Sequence, residues 1–422
     1  MRKAQGLKRK AQSSKLKVLC ATSICDHTVR RSYLAQGINM KVVVALDSFK
    51  GSCTAHNACE AVATGFKKAL HDSEILCCPI SDGGEGLIDS LYAVLQEQGF
   101  VKHHHTVLGP YQGQVKASFL YNEQQGEAIV EMAQCSGIEL NLNHPREGEK
   151  ATTYGLGQLI GHILSLKCRT IKIGLGGSAT NDAGAGFAQA LGAKFYDSHN
   201  QLITEPLCGS MLSKIARVDT SELDAALKDV EIFGTCDVTN PLTGSNGATY
   251  TFGPQKGIKV QNLATLDEAM QSFATLMNAH YKKSVDTVAG AGAAGGMGAA
   301  LLWFAHGTLE RGIDIVMRIL KLEEKIKDSS LVIVGEGRID GQSLQGKAPL
   351  GVAKLAKEHK VPVIALCGSI GANAEALYEH GINAIYSLCT GPMTLDEAMS
   401  NTEELIEKLS YNIARTVSLS LN

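Results

Sequence analysis

Five glycine-rich segments hold the residues whose types and spacing could do chemistry in this chain. The clearest is Ile171–Phe187, where a predicted strand leads into Gly174–Ser178 and an alanine-rich helix is predicted to begin near Asn181. Uncovered backbone N–H groups on such a loop, aimed by a helix N-terminus, bind phosphate or carboxylate, so the segment predicts an anion site. Asn181 and Asp182 are candidate functional residues, and both also belong to the residue types that cap helices, so the two interpretations stay open.

The segment Asp47–Ser52 follows the first predicted strand at its carboxyl end. Open parallel sheets bind ligands at that end, which favours a functional interpretation. Lys50 can neutralise an anion, and Ser52 can cap the next helix or contact a phosphate oxygen. The alternative is an ordinary turn between a strand and a helix.

The segment Ser81–Gly86 also lies where a predicted strand ends and a helix begins. Its two carboxylates, Asp82 and Glu85, are available to magnesium or to a hydroxyl group. In the alternative interpretation Asp82 is the N-cap of the helix and Glu85 its capping-box partner. Asp82 is the better functional candidate of the two.

The segment Gly335–Lys347 combines cations with carboxylates after another predicted strand. Arg338 and Lys347 are candidate phosphate contacts. Glu336 or Asp340 is a candidate magnesium contact. These residue types are the ones that a phosphate-handling site requires.

The segment Gly290–Gly298 satisfies the pattern Gly-x-Gly-x-x-Gly through Gly290, Gly292 and Gly295, and Gly296 follows directly. A dinucleotide fingerprint of this form should directly follow a strand, and no clear strand precedes it here. Contact with a nucleotide and a tight loop with close helix packing therefore stay as alternatives.

The elements that would position these segments alternate between strand and helix at both ends of the chain. Strands are predicted at 41–47, 74–80, 330–335, 361–367 and 383–388, and helices at about 54–70, 84–98, 348–359, 373–380 and 394–417. Such alternation predicts a parallel sheet covered by helices. The middle differs, with a predicted hairpin over 115–132 and a solvated loop at His103–His105.

The predicted fold class is therefore α/β: a Rossmann-like parallel-sheet domain built from both chain ends, with an inserted mixed α/β domain. The expected limits are residues 40–104 and 290–422 for the first domain and 105–289 for the insertion. A cleft between the two domains is the expected ligand site. Residues 1–39 are expected to be a basic extension that is disordered or precedes the working start at Met40, with a transit-like presequence or a polybasic tail as alternatives.

Composition excludes several classes of protein. The chain has 422 residues, of which 44% are apolar and 19% charged, and it contains 44 glycines but only nine prolines. Residues 1–39 carry nine basic residues and one acid, whereas the remainder carries 31 basic and 41 acidic residues, which argues against nucleic acid as the main partner. The uncharged stretch 287–305 is mostly glycine and alanine, so it predicts a turn feeding a buried helix and no membrane span. Twelve scattered cysteines without Cys-x-x-Cys favour a reducing cytoplasm.

Taken together, the segments resemble the glycerate kinase type-1 family from Met40 to the C-terminus. The landmarks that carry the resemblance are Asp47–Ser52, Ser81–Gly86, Gly174–Ala193, Asp237–Gly257, Gly290–Leu302, Arg311–Val316 and Gly335–Lys357. The resemblance implies ATP-dependent phosphorylation of D-glycerate, with 2-phosphoglycerate as the usual product, in glyoxylate or sugar-acid catabolism. It also implies two α/β domains with the site between them.

The chemistry of the residues agrees with that reaction, because phosphoryl transfer requires glycine loops, cations and magnesium-binding carboxylates. The candidate catalytic residues are Asp182, Asp82, Lys50 and Arg338. The candidate residues for binding the cofactor ATP are Gly176, Gly177, Ser178, Asn181, Gly292, Gly295, Gly296 and Lys347. The candidate ligands of Mg²⁺ are Asp82, Asp340 and Glu336.

Alternatives remain for the activity. The rival interpretations are a kinase with glycerate 3-kinase regiochemistry, a non-catalytic sugar-acid sensor on the same fold and a nicotinamide oxidoreductase. No nucleic-acid or membrane partner is expected, and a homodimer is the candidate assembly.

Overall fold

The computed structural model describes residues 40–81, 86–111, 113–140, 145–341, 343 and 347–419. The basic extension 1–39 and the predicted site residues Asp82 and Glu85 lie outside these residues. The strands of the described part are β1 (Lys41–Leu46), β2 (Glu74–Cys77), β3 (Val101–Leu108), β4 (Gln114–Asn122), β5 (Glu127–Glu131), β6 (Thr170–Gly174), β7 (Lys194–Tyr196), β8 (Arg217–Asp219), β9 (Glu231–Thr235), β10 (Thr308–Glu310), β11 (Leu331–Ile339), β12 (Val363–Ile370) and β13 (Ala384–Ser387).

Helices connect these strands. The α-helices of the described part are α1 (Ala55–Ala69), α2 (Leu87–Leu95), α3 (Ala133–Ser136), α4 (Tyr154–Ser165), α5 (Ala185–Ala190), α6 (Ser221–Leu227), α7 (Ala248–Phe252), α8 (Leu263–Tyr281), α9 (Ala293–Phe304), α10 (Gly312–Ile319), α11 (Leu322–Lys327), α12 (Ala348–Glu358), α13 (Leu395–Ser400) and α14 (Thr402–Leu419). Short 3₁₀ turns include Gln96–Gln98, Gly209–Lys214, Pro254–Lys256, Val260–Asn262 and Ala374–His380.

A parallel five-stranded sheet joins the two ends of the chain. Its strand order is β13-β12-β11-β1-β2, and every neighbouring pair is parallel. The mixed α/β class with parallel sheets is thus confirmed. The sheet forms because β1 is apolar on both faces: Val42, Val44 and Leu46 pack on one side with α1 and α14. Val43 and Ala45 pack on the other side with α2, α10 and α12.

A second sheet of six strands has the order β10-β9-β6-β5-β4-β3. The strands β5, β6, β9 and β10 pair in parallel, whereas β3, β4 and β5 form an antiparallel meander. The predicted hairpin over 115–132 is therefore confirmed. On one face of the meander, Leu120 and Ile129 join the core of the first sheet, so the two sheets share buried contacts. The domain limits at 105 and 289 stay a prediction, and the sheet pairing favours limits nearer 101 and 310.

Some predicted elements differ from the observed ones. The run His103–His105 is not a loop but lies in the edge strand β3, where His103 stacks on Phe119 with ring centroids 5.4 Å apart. His103 and Phe119 are directly paired across β3 and β4, and cross-strand ring contacts of this kind stabilise a sheet. The predicted helix 394–417 is divided into α13 and α14 at Asn401, and 373–380 is a 3₁₀ turn.

The uncharged stretch 287–305 contains a glycine-rich turn followed by α9, which is almost fully buried, as the sequence predicts. In the ranges that the structure describes, no helix is long and apolar enough to cross a membrane. The apolar residues of α9 belong instead to the core of the six-stranded sheet.

A buried carboxylate at the end of β5 connects the two sheets at the start of α2. Glu131 accepts hydrogen bonds from the backbone N–H groups of Gly86, at 3.2 Å, and Ile88. The helix begins at Leu87 with Gly86 as its N-cap, later than the start near residue 84 that the sequence predicts. Asp82 and Glu85, for which a capping box was the alternative interpretation, lie outside the described residues. Burial raises the pKa of Glu131, and the two N–H groups oppose this shift because they stabilise the charged form.

Replacing Glu131 with Ala is expected to lower the free energy of unfolding by about 1–3 kcal/mol, because it leaves buried N–H groups without an acceptor. Glu131→Gln, which keeps one acceptor oxygen, should lose less. Urea unfolding of the full chain at neutral pH measures both, with Glu123→Ala on the exposed turn of the same hairpin as the control. Equal stabilities of the Glu131→Ala and Glu123→Ala proteins would contradict the capping role.

Candidate active site

The carboxyl ends of β1 and β6 face a common cavity of about 1130 Å³, which we call the central cavity. One wall is the turn Asp47–Ser52 with the start of α1, and the other includes Gly176 and Gly177 and part of α2. The structure thereby brings together residues of three of the glycine-rich segments that the sequence singled out, since Ser81 and Gly86 also line this cavity. Two of the segments follow strands of the first sheet, and the third follows β6 of the second sheet.

Lys50 lies at the tip of the tight turn between β1 and α1. Phe49 and Cys53 close this turn through a β-bridge. The Ser52 hydroxyl donates to the carbonyl oxygen of Phe49 at 2.9 Å, and Thr54 is the N-cap of α1. Of the two roles that the sequence left open for Ser52, capping this helix is wrong, and contact with a phosphate oxygen stays a prediction. Lys50 is exposed and has no ion pair to any residue in the described ranges. Its ammonium group is therefore available to an anionic ligand.

A second cavity of about 560 Å³, the β11 cavity, adjoins the same turn. It is lined by Lys50 and by the predicted residues Glu336, Arg338 and Lys347. The Lys347 ammonium lies 2.9 Å from Glu336 Oε2, and the Arg338 guanidinium donates to Asp340 Oδ2 at 2.9 Å. Glu336 and Asp340, the two predicted magnesium ligands that the structure describes, are thus each already paired with a cation.

The Glu336 carboxylate is largely buried, and its second oxygen accepts a hydrogen bond from Ser343 Oγ at 3.0 Å. Burial raises the pKa of Glu336, while Lys347 opposes this shift. Across the described residues, no group of three or more His, Cys, Asp or Glu side chains is placed to hold a metal ion. The magnesium roles of Glu336 and Asp340 stay predictions, as does that of Asp82.

The loop Gly174–Ser178 leaves β6 in the predicted place, but no helix follows it directly. The helix α5 begins at Ala185, and it does not begin near Asn181 as predicted. The loop is held instead by α3 and the residues after it, since Ile138 N–H donates to the carbonyl oxygen of Gly177 at 2.9 Å. A helix dipole therefore contributes little to anion binding here, because its effect is confined to the first turn.

Asp182 is fully buried behind this loop. Its Oδ2 atom accepts hydrogen bonds from Thr153 N–H at 2.9 Å and Thr153 Oγ1 at 2.8 Å, and its Oδ1 atom accepts from Gly184 N–H at 3.0 Å. Burial raises the pKa of Asp182, and these donors oppose the shift. Asp182 lines none of the cavities described here, so the geometry favours a positioning role. Its catalytic role stays a prediction.

Asn181 is buried beside Asp182. Its Nδ2 group donates to Thr249 Oγ1 at 3.0 Å, whereas its Oδ1 atom has no hydrogen-bond partner among the residues that the structure describes. Like Asp182, it lines none of the cavities. Its contact with a nucleotide stays a prediction, and the hydrogen bond to α7 supplies a structural reason for the residue.

A third cavity of about 450 Å³, the loop cavity, lies on the other side of Gly176–Ser178. It is lined by Arg146, Asp237, Lys256 and the first residues of α9. Gly176 and Gly177 line both this cavity and the central cavity, so the glycine loop separates the two. A ligand in the loop cavity would approach the central cavity at the loop.

Lys256 is the functional candidate that the sequence analysis missed. Its ammonium group is buried and donates to Ser178 Oγ at 3.0 Å and to the carbonyl oxygen of Thr180 at 2.7 Å. Burial lowers the pKa of Lys256 to about 7, and the charge of Asp182 opposes the shift. The available signal was the string Pro254–Gly257, which places a lysine in a tight turn within one of the landmark segments.

Close packing explains why glycine occupies several positions of the segment Gly290–Gly298. A Cβ atom on Gly295 would overlap the carbonyl oxygen of Thr180, and one on Gly296 would lie 2.6 Å from Ala183 Cα. A Cβ atom on Gly292 would likewise overlap the carbonyl oxygen of Pro241. These three glycines line none of the cavities, which favours close packing over the nucleotide contact that stays a prediction.

Residues 42–418 match the model of the glycerate kinase family. The chain belongs to this family. It is accordingly an enzyme of the kinase class that acts on a small molecule.

Relatives and a solved structure cover nearly the whole chain. The chain is 42% identical over 382 residues to the glycerate 2-kinase of Escherichia coli (strain K12), covering 90% of this chain and 99% of that one. It is 41% identical to a glycerate kinase of Bacillus subtilis (strain 168), over 90% of this chain and 98% of the relative. A crystal structure described as glycerate kinase 2 from Salmonella typhimurium LT2 superposes with a TM-score of 0.80 at 40% identity, covering 90% and 99% of the two chains.

The packing interpretation of Gly295 predicts a larger loss of stability on substitution than its backbone angle alone would give. Gly244→Ala is a matched control, because Gly244 has a φ of +88° and no atom within 4 Å of an added Cβ, whereas Gly295 has a φ of +70° and a crowded Cβ position. The control should lose about 1–2 kcal/mol from left-handed strain alone. Gly295→Ala should lose about 1–3 kcal/mol more from overpacking. Equal losses in urea unfolding would contradict the packing role.

Proposed function

We propose that this protein phosphorylates D-glycerate to 2-phosphoglycerate, with ATP as donor and Mg²⁺ as cofactor. The observation that carries the proposal is the convergence of Lys50 with Gly176 and Gly177 of the glycine loop at the central cavity. Family membership supports it, as does the similarity to a relative named glycerate 2-kinase. Phosphoryl transfer requires chiefly positioning and neutralisation of charge, and this cavity offers both a cation and uncovered backbone.

Lys50 is the proposed cation for the acceptor. D-glycerate is a three-carbon acid with one carboxylate, so its site needs a positive group that is not already paired. Arg338 and Lys347 are each bound to a carboxylate, whereas Lys50 lacks an ion pair within the described part. We assign Arg338 and Lys347 to the wall of the β11 cavity, from which they add positive potential beside the turn of Lys50.

The phosphates of ATP are assigned to the loop Gly176–Ser178. Gly177 has a φ of +69°, a conformation that glycine adopts readily and that turns the backbone of the loop. The loop cavity beside it contributes Arg146 and Lys256. A nucleotide bound there would present its terminal phosphate toward the central cavity, where the acceptor lies.

The residues present fit a magnesium ion held in the usual way, by one or two carboxylates together with substrate phosphates. Asp237 lines the loop cavity and Asp47 the central cavity, so both carboxylates lie near the proposed phosphates. Asp82 stays a ligand predicted from the sequence; it lies outside the described residues, in the segment whose ends, Ser81 and Gly86, line the central cavity. Magnesium supplies neutralisation of the phosphate charge when it is bound.

The proton of the reacting hydroxyl needs an acceptor. Asp182 is buried and bound to Thr153, and Asp340 is paired with Arg338. We therefore propose Asp82 as the proton acceptor, because the carboxylates of Asp182 and Asp340 are already bound to other protein groups. A cytoplasmic location, a homodimer and a role in sugar-acid catabolism remain predictions that accompany this function.

A coupled assay of the full chain with ATP, Mg²⁺ and D-glycerate tests the proposal. We expect turnover that depends on all three components, with NMR of the product placing the phosphate on C2. Phosphate on C3 would replace the regiochemistry with that of a glycerate 3-kinase. Absence of turnover by folded protein that binds ATP would contradict the proposed substrate and favour a different hydroxy acid or a non-catalytic sensor.

Replacing Lys50 with Met is expected to lower kcat/KM for D-glycerate by roughly 10- to 100-fold, because a charged hydrogen bond to the acceptor carboxylate is lost. Steady-state kinetics at saturating ATP measure the change. Lys67→Met, which removes an exposed lysine of α1 away from the cavities, is the matched control and should leave kcat/KM unchanged. A change of less than twofold in the Lys50→Met enzyme would exclude Lys50 from the acceptor site.

A further inference from the structure

Lys256 is a buried cation without a carboxylate partner. It is 2% exposed, and no Asp or Glu oxygen of the described residues lies within ion-pair distance of its ammonium group. Lys172, the other lysine that is buried in the described ranges, differs in this respect because its ammonium lies 2.6 Å from Glu127 Oε1. Burying an unpaired charge is unfavourable, so a lysine in this position calls for an explanation beyond packing.

The backbone around Lys256 fixes the position of its side chain. The residue ends the turn Pro254–Lys256, its carbonyl oxygen accepts from Gly148 N–H at 2.9 Å, and Gly257 terminates the turn with a φ of +86°. Its ammonium group uses two donors on Ser178 and Thr180. An ammonium group has three N–H donors, so one remains for a ligand in the loop cavity that Lys256 lines.

The charged groups around Lys256 favour an anionic ligand. Asp182 is the nearby acid on the glycine-loop side, and its carboxylate is occupied by Thr153 and Gly184. Arg146 and Asp237 line the same cavity, and the Arg146 guanidinium lies 3.6 Å from Glu139 Oε1. Glu149 lies on the segment whose Gly148 contacts the Lys256 backbone. The loop cavity itself thus holds two cations and one carboxylate.

We propose that Lys256 is the cation that binds nucleotide phosphate in the loop cavity, and that it holds Ser178 in the binding conformation of the loop. The proposal rests on the proposed function, since it assumes that ATP is the donor and that Gly176–Ser178 receives its phosphates. The phosphate would be the anionic partner that the buried ammonium group of Lys256 does not have within the described part of the protein. Nucleotide binding and protonation of Lys256 are then coupled.

The coupling between nucleotide binding and protonation of Lys256 predicts the direction in which protons are exchanged with the buffer. Burial lowers the pKa of Lys256 to about 7, so at pH 8 most of the unliganded protein carries a neutral Lys256. A bound polyphosphate favours the charged form and raises this pKa, so binding at pH 8 takes up a proton from the buffer. A lysine that merely packs against the loop, without touching the ligand, predicts no such uptake.

Isothermal titration calorimetry of the full chain with a non-hydrolysable ATP analogue and Mg²⁺ tests the proposal. Titrations at pH 8 in two buffers of different ionisation enthalpy give the number of protons exchanged. For the unaltered protein we expect an uptake of about half to one proton from Lys256. Lys256→Met should remove this uptake and weaken the dissociation constant by roughly 10- to 100-fold, as expected for loss of a hydrogen bond to a charged group.

Two controls accompany the variant. Lys259→Met removes an exposed lysine three residues away and should leave both affinity and proton uptake unchanged. Thermal unfolding without ligand should show Lys256→Met at least as stable as the unaltered protein, because the substitution removes a buried unpaired charge. If the variant is unstable, Lys256→Gln replaces it in the titrations, and the uptake by the unaltered protein is an independent measure.

The outcomes distinguish this inference from the proposed function. Unchanged affinity and uptake in the Lys256→Met protein, with ATP-dependent turnover of D-glycerate intact, would overturn the role of Lys256 alone. If the Lys256→Met protein bound D-glycerate more weakly but the ATP analogue normally, the proposed role of Lys256 would also be overturned. The loop cavity would then bind D-glycerate and not the nucleotide. Failure of the unaltered protein to bind the analogue would overturn both proposals.

Discussion

The buried carboxylate of Asp182 is the interaction on which the six-stranded half of the molecule depends. An ionised carboxyl group in the interior is tolerated only when donors surround it, and Asp182 receives N–H and O–H groups from Thr153 and Gly184. These bonds fix the segment after the glycine loop against the start of α4. Two further contacts are made by that segment. The carbonyl oxygen of Thr180 accepts a hydrogen bond from the Lys256 ammonium, and Ala183 N–H donates to the carbonyl oxygen of Gly295.

The cavities exist because of the way in which the two sheets meet. Parallel strands end at one edge of a sheet, and loops at that edge have backbone groups left over for ligands. Here the edges that follow β1 and β6 face each other across the central cavity. Leu120 and Ile129 pack into the core of the first sheet, and Glu131 binds the start of α2, so apolar and polar contacts together hold the two edges in place.

The cations near the cavities divide into two kinds. Arg338 and Lys347 are partly neutralised by Asp340 and Glu336, which holds them in defined positions but reduces their attraction for a ligand. Lys50, which is exposed, and Lys256, which is buried, have no carboxylate partner within ion-pair distance among the residues described. Exposure leaves the charge of Lys50 hydrated, whereas burial makes that of Lys256 sensitive to any anion that binds nearby.

The sequence by itself determined the features that depend on local pattern. The apolar run of β1 predicts a strand buried on both faces, the hairpin follows from its turn at Gln125 and Gly126, and the glycine segments mark where the backbone must turn or come close to its surroundings. Family membership also follows from these segments, because their order along the chain is specific.

Only the tertiary structure decided which glycines pack and which line a cavity, since Gly295 and Gly176 look alike until their neighbours are known. It likewise decided that Asp182 is buried, that α5 begins at Ala185 and that Lys256 reaches Ser178. The physical reason is common to all of these. Burial, pKa and hydrogen-bond partners are set by residues distant in the chain, and a local pattern contains no information on which distant residues arrive.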